Sequence, residues 1–368
     1  MRYAQSGRWL SLIAVGALVF GLASCQILVP PAVPEPPDPN AEPAEANAPD
    51  AKAGVFPLFV GARWVYRNAT PDLIPVLHPG SEIESEVLAE VRCRDAASRQ
   101  LYECFVVRTR QGTEREVLSY LHRTADRIEL FALETQELGA APRRQAFGGE
   151  LLLKPSLAAG DAWTFGQTTG AFLSSRAMSQ ETVPLRDTIH VLLGPYTNSF
   201  TCAWRVRSTF GGILADAYGS GIVEAWYASG VGMVKRTAAS LFYELVQFRK
   251  SDEVAMLGAS SSSGPYQLPV GSIVVVQLRG YASAAAPGLG WSLENGADVT
   301  ADGVLVPLAA SGDFYADLDG TNEAETGTCV FRFAVNGKGR TSLVFEGRYT
   351  GTAQSLAPQC ISFDIAGL

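Results

Sequence analysis

Apolar and charged residues alternate with a period of two along several segments of this chain, and helical periodicity is nowhere sustained. Residues 82–92 interleave four apolar side chains with acidic and basic ones, and residues 105–110 continue in the same way. A period of two places successive side chains on opposite faces of a strand. These two segments therefore predict a β-hairpin with one apolar and one charged face, and the pattern limits the chain to an all-β fold class.

Further apolar segments of strand length follow through residues 55–250, with connections at Gly and Pro. They cover residues 117–121, 128–133, 188–193, 202–206, 222–227, 233–235 and 241–248. Consecutive short strands of this kind usually pair as antiparallel neighbours. We expect residues 55–250 to form a β-rich domain, an antiparallel β-meander.

The remaining residues predict a second domain. Residues 251–265 are rich in Ser and Gly, which is typical of a flexible linker. Residues 266–368 contain strand candidates at 272–278, 303–308, 329–335, 341–349 and 360–365. Short strands at this spacing favour an Ig-like β-sandwich after the linker.

One short pattern occurs twice in the first domain. In residues 56–66 and again in residues 155–165, a Pro and a Leu precede Gly-x-x-Trp and a predicted strand. The glycine provides a turn, and the tryptophan then lies at the start of the strand. We interpret Trp64 and Trp163 as core anchors; stacking on a sugar or a peptide is the alternative.

These segments, together with residues 224–235, resemble a group of uncharacterised bacterial lipoproteins. Proteins of that group carry FPL-x-x-G-x-x-W-x-Y near the start of the domain and W-[YF]-A-x-G-V-G-x-V-K near its end. Here the corresponding residues begin at Phe56 and Trp226. The resemblance implies an exported β-rich protein and brings no activity with it.

The N-terminus has the layout of a bacterial secretory signal. Arg2 and Arg8 precede an apolar stretch over residues 9–20, and Leu-Ala-Ser-Cys closes the segment at Cys25. That tetrapeptide resembles the lipobox of bacterial lipoproteins, in which the cysteine is acylated and becomes the new N-terminus. We expect residues 1–24 to be a signal peptide and Cys25 to be the lipid-attachment site, and hence a membrane partner through the lipid. An ordinary cleaved signal and a single transmembrane anchor are the alternatives.

A linker is expected between the lipidated cysteine and the first domain. Residues 26–54 contain eight prolines among acidic residues and cannot bury a core, so residues 25–54 predict an extended Pro-rich acidic linker. Gln26 follows the cysteine; in lipoproteins of two-membrane bacteria a residue other than Asp there goes with outer-membrane sorting. The expected location is the cell envelope, on the periplasmic or surface face of the outer membrane.

The C-terminal domain resembles the chagasin-like inhibitors of cysteine peptidases. The resemblance rests on residues 270–278, 287–291, 327–333, 339–345 and 361–365. That family has an Ig-like fold and blocks the peptidase cleft with three loops. The resemblance implies candidate partner-binding loops at Pro287, Gly288, Leu289 and Trp291 and at Arg348 and Tyr349. Gly288 and Trp291 match the end of the family's first loop, while Pro287 and Leu289 depart from it.

Six cysteines are present, and export permits disulfides. With Cys25 assigned to lipid, Cys93 and Cys104 flank a polar turn and predict a disulfide that staples a hairpin. Cys329 and Cys360 lie on predicted C-terminal strands and form the second expected pair. Cys202 is left over, either as a buried thiol or as a reactive, partner-bridging one.

Charge and motifs argue against several functions. Removal of Arg2 and Arg8 with the signal leaves a net charge of about −10, which disfavours nucleic acid as a partner. There is no Gly-x-Ser-x-Gly, no His-Glu-x-x-His and no phosphate-binding Gly loop, so we expect no enzyme and no cofactor. No Cys or His spacing predicts a metal site. The acidic loop with Asp317 and Asp319 is a weak calcium candidate.

Three functions are consistent with these features. The favoured one is a membrane-anchored, non-catalytic lipoprotein whose Ig-like module binds a protein or polymer partner. The second is a chagasin-like inhibitor of cysteine peptidases. The third is a carrier that encloses an apolar ligand in the 55–250 domain.

Overall fold

The structure is a computed structural model of the full chain. It describes residues 57–69, 82–95, 98, 100–111, 115–137, 139–155, 157–166, 171–189, 197–218, 221–238, 241–261, 264–282, 288–309, 311–318, 325–349 and 357–368. The predicted signal peptide, Cys25 and the Pro-rich linker lie outside these residues. No helix within them is both long enough and apolar enough to cross a membrane.

The first part of the chain forms one large sheet of twelve strands. The strands are β1 (Arg63–Asn68), β2 (Glu82–Arg94), β3 (Leu101–Gln111), β4 (Arg115–Arg123), β5 (Ile128–Glu137), β6 (Arg143–Leu153), β7 (Ala162–Gly166), β8 (Phe172–Ile189), β9 (Thr197–Gly211), β10 (Gly221–Ala228), β11 (Gly232–Ala238) and β12 (Leu241–Arg249). One short helix, α1 (Ile213–Tyr218), follows β9.

The order of the strands is that of two meanders joined at β1. From β1 the sheet runs through β2 to β6 on one side and through β12 down to β7 on the other. All the pairings that we describe in this sheet are antiparallel, as in the register of β1 with both β2 and β12. The predicted all-β class is confirmed.

The alternation in residues 82–92 produces the two faces expected of β2 as far as Val87. Ile83, Ser85 and Val87 are buried on one face. The register with β3 shifts between Val87 and Ala89, so that Leu88 becomes the extra residue of a β-bulge and the buried Val91 lies on the opposite face. The sequence pattern does not reveal this bulge, because Leu88 is itself apolar.

Both Gly-x-x-Trp motifs anchor the core, which confirms the interpretation of Trp64 and Trp163. Gly61 and Gly160 have positive φ angles of 93° and 90°, which glycine adopts at little cost. The Trp64 indole is fully buried and stacks on Phe248. Its Nε1–H donates to Val231 O at 2.7 Å. The Trp163 Nε1–H donates to Leu152 O at 2.9 Å.

The second part of the chain forms a nine-stranded sheet. Its strands are β13 (Val254–Gly258), β14 (Tyr266–Leu268), β15 (Ile273–Ala282), β16 (Leu289–Leu293), β17 (Leu305–Pro307), β18 (Asp313–Ala316), β19 (Glu325–Val335), β20 (Gly339–Tyr349) and β21 (Gln359–Gly367). The helix α2 (Gly296–Asp302) connects β16 to β17. Two pairings, β13 with β15 and β14 with β21, are parallel.

These nine strands fold into two layers around one core. One layer contains β14, β21, β20 and β16, and the other contains β15, β19 and the short strands paired with them. Among the described residues, the pair Tyr281 and Leu289 joins the two layers along the sheet. Phe331 of one layer and Phe345 of the other lie with ring centroids 4.8 Å apart. The core therefore lies between the layers.

Part of the predicted linker is a strand. Val254–Gly258, within the residues that we expected to form a Ser/Gly linker, makes β13 and pairs with β15. A short 3-10 turn, Ser251–Glu253, leads into it, and Glu253 is buried. The chain therefore passes from β12 into the second sheet through ordered structure.

The second sheet packs directly on the first. Strand β15 serves both cores: Ile273 and Val275 belong to the buried cluster of the first sheet, while Val274 and Val276 belong to that of the second. The backbone of Glu90 in β2 accepts a hydrogen bond from Thr328 Oγ1 at 2.8 Å. Apolar packing and hydrogen bonds thus both fix the two sheets to one another.

A buried carboxylate lies at this contact. Glu86 of β2 forms ion pairs with Arg108 at 2.9 Å and with Arg249 and Arg332 at 3.6 Å each. The Glu86 side chain is only 9% exposed. Since Arg332 comes from β19, one carboxylate connects the two sheets.

Candidate functional site

Several strand ends meet at one end of the second sheet. They bring together the described residues among those that the resemblance to chagasin-like inhibitors implied. Tyr281, near the end of β15, pairs with Leu289 at the start of β16, and Leu289 pairs with Tyr349 at the end of β20. Tyr281 also pairs with Thr326 near the start of β19. We call this surface, formed by Tyr281, Leu289, Trp291, Arg348 and Tyr349, the loop end.

Trp291 forms the support of the loop end. Its Nε1–H donates to the carbonyl of Arg279 at 2.7 Å. The ring packs against Gly347, where an added Cβ would lie only 3.0 Å from the indole. Trp291 thereby connects β16 to β15 and β20, and its indole is half-buried rather than free.

Two of the predicted partner-binding residues are instead part of the frame. Gly288 is buried, and Leu289 is 5% exposed between Tyr281 and Tyr349. Both positions therefore expose little surface in this structure, and their role in binding a partner stays a prediction. Pro287 lies outside the described residues.

The residues that the loop end does expose are aromatic and basic. The Arg348 side chain is 68% exposed and pairs with Glu346 at 2.5 Å and Glu294 at 3.8 Å. Tyr349 is half-buried, and its hydroxyl accepts a hydrogen bond from Gln359 Nε2 at 2.6 Å. Tyr281 is 43% exposed, and our sequence analysis missed it. The sequence did contain a signal for this exposed side chain, because Tyr281 directly precedes a run of small residues, 282–286.

The calcium candidate Asp317 is already occupied by protein partners. Its carboxylate accepts hydrogen bonds from Arg279, from Thr326 Oγ1 at 2.7 Å and from the backbone N–H of Arg92 at 2.7 Å. Burial by itself raises the pKa of Asp317, but these bonds lower it below the usual value. Asp317 thus serves as a contact to the first sheet, and no group of three metal-binding side chains occurs among the described residues. Asp319 lies outside them.

The first predicted disulfide is not formed, although its two cysteines are close. Cys93 and Cys104 are both free and buried, on the neighbouring strands β2 and β3. The register places Cys93 opposite Tyr102 and Cys104 opposite Val91, so the two residues are diagonal rather than directly opposite. Burial, followed by the hydrogen bond with Cys93, raises the pKa of the Cys104 thiol.

The second predicted disulfide is wrong. Cys329 is buried on β19, whereas Cys360 is exposed on β21, and these strands lie in different layers of the sheet. Burial raises the pKa of the Cys329 thiol above its usual value. Sequence position on two C-terminal strands could not show that the side chains face apart. Cys202 belongs to β9, and its side chain lies outside the description.

Comparison with known proteins adds little to this geometry. No family model and no curated protein matches the chain. One solved structure that it resembles is a cysteine protease inhibitor from Entamoeba histolytica, at 7% identity and a TM-score of 0.22. The match covers 31% of this chain and 95% of the inhibitor. A TM-score this low carries no argument for fold or function.

Proposed function

We propose that this protein is a membrane-anchored, non-catalytic lipoprotein that uses the loop end of its second sheet to bind a protein or polymer partner in the bacterial cell envelope. The lipid on Cys25 provides the anchor, and the Pro-rich residues 26–54 hold the folded part away from the membrane. The binding module is the C-terminal sheet. No catalytic step is part of the proposal.

The single observation that supports this function is the exposed pair Tyr281 and Arg348 on a rigid frame. Tyr281 is 43% exposed, and Arg348 lies on β20, one residue before the partner of Leu289. Tyrosine and arginine dominate the binding energy of protein interfaces. Because the Trp291 ring and the strand pairings hold the frame, little conformational entropy is lost when a partner binds.

A pulldown from native membranes tests the proposal. The bait is the lipidated full chain, and its captured proteins and polysaccharides are compared with those of the double variant Tyr281→Ala and Arg348→Ala. We expect a component that the wild type retains and the double variant loses. The matched control removes two exposed side chains of the first sheet, Phe172→Ala and Ile222→Ala, and should retain that component.

Identical captures by the wild type and the loop-end variant would overturn the binding role of this surface. A component lost from the control variant but kept by the loop-end variant would place the binding surface on the first sheet instead. Circular dichroism of both variants establishes that each is folded before the comparison is made.

Inhibition of a cysteine peptidase is the second candidate. In its favour, the two separate segments around Trp291 and Arg348 lie on neighbouring strands, with Leu289 opposite Tyr349. Against it, Gly288 and Leu289 are buried. Titration of a papain-type peptidase with the purified chain decides the matter. Loss of peptidase activity at micromolar protein, relieved by Arg348→Ala, supports inhibition, and full activity at that concentration excludes it.

The packing of the first sheet does not favour the carrier hypothesis. Its buried cluster contains large side chains, among them Trp64, Tyr66, Phe200 and Tyr243, all nearly or fully excluded from solvent. A carrier needs an enclosed apolar space for its ligand. We therefore retain the two binding hypotheses above.

A further inference from the structure

A cleft lies at the opposite end of the second sheet from the loop end. Its volume is about 560 Å³, within the range of pockets that hold small ligands. It is lined by Pro265, Asn295, Asp302, Arg340, Thr341, Ser342, Asp364 and Ile365. Strand β20 runs from the cleft at Arg340 to the loop end at Tyr349, which separates the two surfaces by about 30 Å at the usual rise per residue.

The neutral polar side chains of the cleft already form hydrogen bonds with carboxylate and backbone groups of the protein. Thr341 Oγ1 donates to Asp302 Oδ2 at 2.9 Å, and Ser342 Oγ donates to Asp364 Oδ1 at 2.6 Å. The Asn295 amide donates to Ser342 O at 2.7 Å and accepts the N–H of Val344 at 3.0 Å. The first two bonds orient the carboxylates of Asp302 and Asp364, and they leave the Thr341 and Ser342 hydroxyls with no further proton to donate. Each carboxylate can accept further hydrogen bonds in addition to the one named here.

The cleft is lined by two carboxylates, Asp302 and Asp364, and one guanidinium, Arg340. Asp302, Arg340 and Asp364 are exposed, and none of the three forms an ion pair within the described part of the chain. Asp302 is also the last residue of α2, beside the final carbonyls of the helix. A carboxylate at that position is electrostatically unfavourable, and a cation stabilises it.

We propose that this cleft binds the cationic side chain of a lysine or arginine presented by a polypeptide. Asp302 and Asp364 accept hydrogen bonds from the ammonium or guanidinium group, which are stronger than neutral ones. Arg340 donates to a carbonyl or carboxylate of the same segment. A stacked sugar fits less well, because the residues that line the cleft include no aromatic ring. The site is separate from the proposed loop-end function and does not depend on it.

Isothermal titration calorimetry of the full chain tests this site. The probes are N-acetyl-arginine amide, N-acetyl-lysine amide and the tripeptide Ala-Arg-Ala, with the neutral N-acetyl-citrulline amide as the isosteric control. We expect saturable binding of the cationic probes, weakening as salt is raised, and none of the citrulline probe. Free arginine is a further arm: tighter binding of the tripeptide than of free arginine identifies a polypeptide rather than a free amino acid as the ligand.

The variant Asp302→Asn with Asp364→Asn removes both charges but keeps oxygen atoms that accept the Thr341 and Ser342 hydroxyls. We expect the affinity of this double variant for the cationic probes to fall by at least about tenfold. Asp298→Asn removes one carboxylate charge from the same helix but outside the cleft, and it should bind as the wild type does. The proposal would be overturned if the cleft bound the citrulline probe as tightly as the cationic probes. It would also be overturned if Asp298→Asn lost as much affinity as the double variant, or if the cleft bound anions and Arg340→Gln abolished that binding.

Discussion

Two buried aromatic side chains of β1 connect parts of the first sheet that are far apart in the sequence. Trp64 donates to the backbone of Val231, and the Tyr66 hydroxyl donates to Met233 O at 3.1 Å. Each of these bonds joins residues 167 positions apart in the sequence. They therefore fix β1 to the chain at the start of β11.

Replacement of Trp64 by Phe should be strongly destabilising. It leaves the buried carbonyl of Val231 without its donor, which costs about 1–3 kcal/mol, and it leaves unfilled space beside Phe248. Urea denaturation followed by fluorescence measures the loss. Trp226→Phe is the control, because Trp226 is only half-buried, and it should cost less. Equal midpoints for the two variants would contradict the anchoring role of Trp64.

Asp317 should make the stability of the folded protein depend on pH, and its hydrogen-bond partners determine the direction of that dependence. Its pKa in the folded protein lies below the usual value of about 3.9, so the carboxylate contributes stability above that pH. The contribution is lost as the pH falls through the lowered folded-state pKa. Wild type should therefore lose stability from pH 7 to acid more steeply than Asp317→Asn. Parallel denaturation curves for the two proteins at each pH would refute the assignment.

At the scale of elements, the loop end depends on a close approach between β16 and β20. Trp291 on β16 lies over Gly347 on β20, with which it is paired in register. Only a residue without a Cβ allows the indole to contact the strand at this distance. The strand pairing alone does not orient Trp291; the glycine opposite it does.

Gly347→Ala should displace the Trp291 ring and destabilise the second sheet by about 1–3 kcal/mol, the usual cost of overpacking. Gly290→Ala is the matched control, because a Cβ there meets no atom within 4 Å. Tryptophan fluorescence and the denaturation midpoint report the two effects. A wild-type midpoint for Gly347→Ala would show that the ring moves at no cost.

At the scale of the whole molecule, the contact between the sheets replaces the flexible connection that the Ser- and Gly-rich residues predicted. The carboxylate of Glu86 is shared by three arginines, one of which, Arg332, belongs to the second sheet. Breaking one partner of a buried charge network leaves the other charges without compensation.

Glu86→Gln should therefore cost about 3 kcal/mol and weaken the coupling between the two sheets. We expect calorimetry to show a broader unfolding transition than that of the wild type. Glu82→Gln on the same strand is the control, since Glu82 is exposed and forms an ion pair with the exposed Arg67 at 3.4 Å, and it should change stability by less than about 1 kcal/mol. Equal effects of the two variants would show that the network is dispensable.

Anchoring at Cys25 predicts a change in the distribution of the whole molecule. Cys25→Ala should abolish incorporation of labelled palmitate and release the protein from the membrane fraction, because no acyl chain then inserts into the bilayer. Ser24→Ala is the control: it keeps a small residue before the cysteine, so this variant should stay in the membrane fraction. Membrane association of Cys25→Ala at the wild-type level would disprove the lipid anchor.

Period-two alternation and short apolar segments in the sequence predicted the all-β class and most strand positions, because burial on one face of a strand dictates which residue types occupy it. The repeated Gly-x-x-Trp motif predicted the two tryptophan anchors. The apolar run over residues 273–276 contained a further signal that we did not use. A strand with apolar residues at every position is buried on both faces. In the structure β15 is such a strand, and it joins the two cores.

The arrangement of side chains between strands was decided only by the tertiary structure. Cys329 and Cys360 face apart, Leu289 is covered by its neighbours, and the Asp317 carboxylate is saturated by Arg279, Thr326 and Arg92. The charge network of Glu86 and the cleft at Arg340 likewise combine residues from distant strands. Local sequence indicates whether a residue lies on a strand, but a bulge such as the one at Leu88 changes the face on which the following residues lie. Which residues of other strands it meets depends on register and packing, which are non-local properties.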